Sequence, residues 1–552
     1  MCEFTKVINI GNKRSYLYDA NINKVVLLPE YISDDSFRFT AEYLRKKMDL
    51  YKNLLKQGFF RGKRLDRIEN PEVKNVDTVL DKGIERLILQ VTQGCNLACS
   101  YCFFSEQYHH KKECVMMNWE IAKRGIDYYI QHAEAVKELK FNFYGGEPLL
   151  NFELIKKCVE YIEKRISDRK CQFSITTNLT LLNEEMADFL EKYHFLILVS
   201  LDGPQDIHDR NRKYKDGNDT YKTVISNLQY MKDRHPDFFN TITFNAVLTN
   251  QEDYINIKNY FLREHPVISG NDFIISPLYL GIDQRQFASP KRERKIRARE
   301  YIDQIKENIQ RCKELVLSYL LAFEIIQVDF QNEERYTDIE LTNWLKNFIF
   351  LTSNNALSLS DLGHPSGSCI GGSSRLMLDP EGKFWPCEKI NTNNDELSIG
   401  DVFRGIQGEK VKKMLNFSKG NEPCYQCWAF RFCGLCVAAV HNASREAACK
   451  CSMDYFESRL FQYCNIQHIN DRYINISKSS ECGWEEISRY LLEEENIDIE
   501  YFDYGENVSE NSFMLYKILI IIKYKFGLNF SAGDIINYKN LKSFIKNQCS
   551  ND

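Results

Sequence analysis

The chain has 552 residues, of which 43% are hydrophobic and 27% charged, with a formal net charge of −5. That length exceeds one ordinary core and predicts roughly three to four domains of a globular protein, and the mild acidity gives no reason to expect nucleic-acid binding. No apolar run approaches the roughly 18 residues of a membrane span, the N-terminus with Glu3 and Lys6 has no signal-peptide core, and nineteen cysteines without an export signal favour metal ligation in a reducing cytoplasm over disulfides.

In chain order, residues 1–75 open with two short strands, 15–18 and 25–28, joined by turn chemistry at Asp19-Ala20-Asn21 and followed by a helix over 35–57. A hairpin followed by a helix resembles the small winged-helix modules that bind leader peptides in ribosomal-peptide modification. An extension packed on the core is the other reading.

From 84 to 310, apolar strand segments (86–93, 139–144, 172–177, 196–201, 241–248 and 273–278) alternate with amphipathic stretches such as 151–166 and 221–234. Six such units predict an α/β fold with parallel strands and right-handed crossovers, as an open sheet or a partial barrel. Ligands in such folds collect at the C-terminal strand ends.

The chemistry-bearing residues fall at those ends. The first strand runs into Gln93-Gly94-Cys95-Asn96-Leu97-Ala98-Cys99-Ser100-Tyr101-Cys102. Its C-x3-C-x2-C spacing lets one tight loop present three thiolates. A cubic iron–sulfur cluster takes four ligands, so three leave one iron open to a small molecule; a zinc loop is the plainer alternative. After the second strand comes Tyr144-Gly145-Gly146-Glu147-Pro148, where adjacent glycines allow close backbone approach to a ligand and a carboxylate stands ready for an ammonium group. The third strand ends in Thr176-Thr177-Asn178 and the fourth in Ser200-Leu201-Asp202-Gly203-Pro204, followed by His208-Asp209 with Arg210 and Arg212. Threonine, asparagine and serine also serve as plain helix caps, and the histidine group reads equally as structural or catalytic.

These motifs resemble those of the radical S-adenosylmethionine enzymes. The resemblance implies a partial (β/α)6 TIM-like barrel and a [4Fe-4S] cluster on Cys95, Cys99 and Cys102, whose open iron chelates S-adenosylmethionine. It further implies cofactor contacts from Gly145, Gly146, Glu147, Asn178 and Ser200, with Tyr101 as the aromatic residue before the third cysteine. Reductive cleavage of the cofactor would then yield a 5′-deoxyadenosyl radical that abstracts hydrogen from an unactivated C–H bond.

Residues 311–365 read as a charged helical connection without chemistry. Within 366–470 a second cysteine group follows: Cys369, Cys387, the block Cys424-x2-Cys427-x5-Cys433-x2-Cys436, then Cys449 and Cys451. Spacing alone allows a zinc ribbon. The order resembles the SPASM extension, which carries auxiliary iron–sulfur clusters, with a last gap of two residues where that family usually has three. It implies an outer cluster on Cys424, Cys427, Cys433 and a distal cysteine, Cys451 in preference to Cys449. An inner cluster would use Cys369, Cys387 and Cys436, its fourth position filled by another residue or open to a substrate thiolate.

Residues 480–552 read as a small helical domain in which Asn511-Ser512-Phe513 precedes an apolar helix and Phe526-Gly527-Leu528. This resembles acyl or peptidyl carrier domains and implies phosphopantetheine on Ser512, although the usual aspartate is Asn511 here; a helix cap is the alternative.

The resemblances imply a peptide maturase that forms thioether crosslinks in a ribosomally made, Cys-rich precursor peptide. A flavodoxin or ferredoxin would supply electrons, with no nucleic acid or membrane as partner. Sulfatase maturation to formylglycine, carbon–carbon crosslinking, and a non-catalytic zinc scaffold presenting the carrier domain are the alternatives.

Overall fold

The computed structural model describes residues 5–9, 15–29, 41–60, 67–102, 115–166, 169–261, 265–268, 271–277, 286–288, 362–363, 369–417 and 484–495, with individual positions in 424–464 and 518–546. Ser512 and Cys451 lie outside the described residues, as does the connection over 311–361.

The N-terminal segment is an antiparallel meander of β1 (Thr5–Asn9), β2 (Ser15–Asp19) and β3 (Lys24–Leu28). Asn23 takes the left-handed conformation (φ 51°) in the tight β2–β3 turn, and the Tyr18 hydroxyl donates to its Oδ1 at 3.0 Å. Helix α1 (Ala41–Lys56) lays Leu54 against Leu17 and Leu28. Sequence reading anticipated β2, β3 and the helix; β1 holds its place by pairing along the whole of β2.

After β4 (Arg67–Ile68) and α2 (Val76–Lys82), six parallel strands follow in unbroken order: β5 (Arg86–Thr92), β6 (Glu138–Gly145), β7 (Lys170–Thr177), β8 (Leu196–Ser200), β9 (Thr243–Leu248) and β10 (Asp272–Pro277). Between them run α3 (Trp119–His132), α4 (Phe152–Arg165), α5 (Glu184–Lys192), α6 (Gln205–Asn211), α7 (Tyr221–Arg234) and, after β9, α8 (Tyr254–Asn259). Every crossover steps to the next strand and the order never reverses. A doubly wound sheet reverses at a switch point; a barrel does not. The fold is a partial (β/α)6 barrel.

Strand alternation divides the sheet's two faces. Phe141, Phe143, Phe173, Ile175, Ile197, Val199 and Phe244 enter the main core with the helices, where Phe173 and Phe195 stack at 5.5 Å. Each such burial stabilises by roughly 1.5–3 kcal/mol. The alternate positions carry Gln90, Asn142, Tyr144, Ser174, Thr176, Ser200 and Asn245, which give the inner face a polar lining.

Both sheet edges are extended. β11 (Gln286–Ala288) pairs antiparallel with β10, while β12 (Leu362–Gly363) forms a separate two-stranded sheet with β4. On the free edge of β5 lies β13 (Leu376–Leu378), parallel to it. It continues into an antiparallel run of β14 (Lys383–Trp385), β15 (Gly400–Asp401) and β16 (Gly405–Ile406). Helix α9 (Gly408–Phe417) returns to the barrel's start, where Lys412 meets Asp77 at 2.6 Å and Asn416 accepts from the Asn70 amide at 2.9 Å. Finally, α10 (Trp484–Glu495) sets Tyr490 edge-on to Phe526 at 5.7 Å.

Candidate active site

The three-cysteine loop leaves the C-terminal end of β5 and is stitched to the end of β6 by backbone. The Gly146 amide donates to the Thr92 carbonyl at 3.1 Å, and the Glu147 amide to the Gly94 carbonyl at 2.8 Å. This proximity dictates both glycines. A Cβ on Gly145, whose φ is +140°, would meet the Thr92 oxygen at 2.1 Å, and one on Gly146 would meet the Gly94 oxygen at 2.1 Å. The sequence pointed to close approach of a ligand; in the structure these glycines allow close approach of the cysteine loop.

Glu147, expected to hold an ammonium group, is held by donors of the chain itself. It is fully buried. Its Oε1 accepts from Thr177 Oγ1 at 2.7 Å and the Leu149 amide at 3.1 Å, and its Oε2 accepts from the Asn178 amide at 2.7 Å. Burial pushes its carboxyl up to about 7, even though these three donors favour the anion. Glu147 ties the ends of β6 and β7 together.

Asn178 continues the tie into the loop. Its Nδ2 donates to Asn96 Oδ1 at 3.0 Å and lies 3.8 Å from Cys95 Sγ. Asn96 in turn donates to Thr180 Oγ1 at 2.7 Å, and Thr180 Oγ1 donates to Asn178 Oδ1 at 2.7 Å. Asn178 thus stands beside a loop thiol. Ser200, at the end of β8, is half-buried on the inner face.

On the loop's far side, the Tyr101 hydroxyl donates to Asp202 Oδ2, and Arg212 pairs with the same oxygen at 3.1 Å while its guanidinium lies 5.4 Å from the Tyr101 ring. Val247's amide donates to Asp202 Oδ1 at 2.9 Å. His208 is the keystone beneath. Its Nδ1 accepts from the Asp202 amide at 3.3 Å. Thr220 Oγ1 spends its proton on the Arg212 carbonyl at 2.7 Å, so it accepts from His208 Nε2–H at 3.0 Å. That fixes the neutral Nε2–H tautomer. Burial and the Arg212 charge lower the imidazole to about 3. Asp209 caps α7, accepting from the Thr220 and Tyr221 amides at 3.1 and 2.9 Å. The histidine–aspartate pair thus braces Asp202 and the start of α7.

The loop thiols suit an iron–sulfur core. Burial pushes the Cys95 thiol up to about 12 and also raises Cys99, while Glu147 and the neighbouring thiols add repulsion. Bare, such thiols stay protonated; a cationic metal core deprotonates them outright. Among the described residues no three Cys, His, Asp or Glu side chains converge on a point for one metal ion. A cubic cluster does not require that, because each cysteine binds a different iron.

The second cysteine group falls into two neighbourhoods. Cys369 and Cys387 both lie near enough to Cys436 that a thiolate there would raise them, and Arg375 pairs with Glu388 beside them at 2.5 Å. Cys427 lies near Cys424, Cys433 and Cys449, whose thiolates would raise it, and Cys433 and Cys449 pack together on Leu435. The fourth described thiol of that set is Cys449, where the sequence reading preferred Cys451. Cys387 and Cys436 pack around a small core of Ile88, Met377 and Trp385 that Tyr144 also joins. The second cysteine group therefore sits against the barrel at β5 and β6. Nothing in the local pattern of 376–385 signalled that contact.

Residues 89–259 match the Radical SAM superfamily. Over 411 residues, 66% of this chain and 79% of the relative, the sequence is 26% identical to a radical SAM cyclopropyl synthase of Paramaledivibacter caminithermalis. It is 24% identical to a cysteine-type anaerobic sulfatase-maturating enzyme of Clostridium perfringens, covering 69% of this chain and 97% of that one. An uncharacterised protein of Methanocaldococcus jannaschii is 34% identical over 174 residues, and the chain spans only 58% of that relative's length. A solved structure of native anSMEcpe with bound AdoMet and Cp18Cys peptide is similar with a TM-score of 0.46 and 21% identity, over 71% of this chain and 99% of that one.

Proposed function

We propose, from the premise that this chain is a radical S-adenosylmethionine superfamily enzyme, that it is a maturase acting on a cysteine-containing peptide. The observation that carries this is the C-x3-C-x2-C loop stitched by backbone hydrogen bonds to Gly145-Gly146-Glu147 at the barrel's C-terminal rim.

Cys95, Cys99 and Cys102 would hold a [4Fe-4S] cluster, with S-adenosylmethionine at its open iron. When bound, this pair supplies one-electron cleavage of the sulfonium and a nucleoside radical able to take hydrogen from carbon. The chain's own residues fix the loop (Glu147, Thr177, Asn178), brace its far side (Tyr101, Asp202, Arg212) and line the barrel with polar groups (Ser200, Asn245). The Paramaledivibacter and Clostridium relatives, by their names, form a cyclopropyl group and mature sulfatases, which supports a peptide or protein substrate.

The product we favour is a thioether between a cysteine sulfur and carbon. Each crosslink removes from the peptide one hydrogen atom, one proton and one electron, so an electron acceptor is needed. The second cysteine group beside β5 is the candidate for it, as two auxiliary clusters: Cys369, Cys387 and Cys436 for the inner one, and Cys424, Cys427, Cys433 and Cys449 for the outer. Formylglycine formation is the second reading, favoured by coverage of 97% of the Clostridium perfringens enzyme. Electron supply by a flavodoxin or ferredoxin, and phosphopantetheine on Ser512, belong to the same proposal with weaker support.

The test is anaerobic co-expression with a short cysteine-rich precursor encoded beside the gene. A loss of about 2 Da per crosslink, with 5′-deoxyadenosine formed, is expected of a thioether. Bound zinc with no nucleoside product would instead reveal a scaffold.

A further inference from the structure

We propose that Gln90 and Asn142 form a seat for a peptide group of the substrate on the inner wall of the barrel; this rests on the maturase reading above. Gln90 is only 1% exposed, and among the described residues neither its Nε2 nor its Oε1 has a hydrogen-bond partner. The Oδ1 of Asn142 is likewise buried and unpartnered. Buried polar groups are almost always paired, and an unpaired one is a standing cost to the fold. Two such amides side by side call for an explanation beyond stability.

The register supplies their arrangement. Gln90 pairs with Tyr144, and Ile88 with Asn142, across β5 and β6. The two amides therefore share one face and lie on the diagonal, within reach of a common ligand. That face is the inner one, because their alternates Leu89, Val91, Phe141 and Phe143 belong to the core under the helices.

A primary amide offers one acceptor and a donor pair, the complement of a peptide group with its one carbonyl and one N–H. Gln90 Nε2 donates to the substrate carbonyl, and Gln90 Oε1 or Asn142 Oδ1 accepts from the N–H. Both residues sit on strands whose C-terminal ends carry the cysteine loop and Gly145. Tyr144, opposite Gln90, also packs with Cys387 and Cys436. A peptide held there runs past both cysteine groups.

Gln90→Met keeps the length of an unbranched side chain and removes the amide. The holoenzyme would be assayed with a pool of end-blocked synthetic peptides, each containing one cysteine. Product and 5′-deoxyadenosine would be followed against peptide and S-adenosylmethionine concentration, and the metal-free protein melted in parallel. The expected result is a Tm unchanged or raised, a KM for the pool raised roughly tenfold, as loss of a buried hydrogen bond implies, and an unchanged KM for S-adenosylmethionine. Asn142→Leu should move the peptide KM in the same direction.

An unchanged peptide KM in both variants overturns the proposal. So does a lowered Tm, which would show that the amide is satisfied within the free protein, or a rise confined to the KM for S-adenosylmethionine. If the parent enzyme itself ignores every peptide in the pool, the maturase reading fails first, before any variant is compared.

Discussion

At Gly146 the separation between the cysteine loop and the second strand is set by one missing methyl group. A Cβ would sit 2.1 Å from the Gly94 carbonyl oxygen and 3.0 Å from the Cys95 amide nitrogen, so the backbone must move. Gly146→Ala should cost at least about 2 kcal/mol in denaturant unfolding, in the range of the larger single-residue effects, and should lower iron retained per chain. Unaltered iron and stability would show that the loop tolerates displacement. His208 invites a test by pH. Its folded value of about 3 lies below the ordinary 6.5. An unfolded chain takes up the proton near 6.5, whereas the folded one refuses it until about 3. Its contribution to stability is therefore whole above 6.5 and is lost as pH falls through that window, up to on the order of 5 kcal/mol. His208→Gln should flatten the slope of Tm against pH between those limits relative to the parent. An identical slope would place the imidazole in water.

At the scale of elements, the most consequential join is β13 on the open edge of β5. It brings the second cysteine group to the barrel through Trp385, which is fully buried and donates from Nε1 to Asp379 Oδ2 at 2.8 Å. Trp385→Ala removes that ring at about 3–5 kcal/mol. Iron per chain should fall while 5′-deoxyadenosine formation persists, since the three-cysteine loop is held by β6 and β7. Loss of both together would mean that the two cysteine groups fold as one unit. This join also marks where sequence reading ended. The six barrel strands were legible because apolar runs of five to eight residues recur between helical stretches. β13 to β16 have two or three residues each, too short for any period, and become strands because β5 offers free backbone groups to β13 and each later strand pairs with the one before it. The same limit explains Glu147 and the glycines. Their motif announced a site, but whether a glycine makes room for ligand or for chain depends on a neighbour about fifty residues earlier in sequence.

For the whole molecule, the barrel places one cysteine loop at its rim and a second cysteine group against its first two strands, with a polar inner wall beside both. The N-terminal meander touches the second group as well: Lys6 pairs with Glu457 at 2.6 Å and lies 5.3 Å from the Trp428 ring. Among the described residues no helix is long and apolar enough to cross a membrane. The proposed function places radical chemistry at Cys95, Cys99 and Cys102. The most direct measurement is 5′-deoxyadenosine released by anaerobically reconstituted protein, reduced in the presence of S-adenosylmethionine, beside the variant with all three cysteines changed to alanine. The account predicts nucleoside from the parent and none from the variant. Equal release from the two, or none from a fully iron-loaded parent, would contradict it.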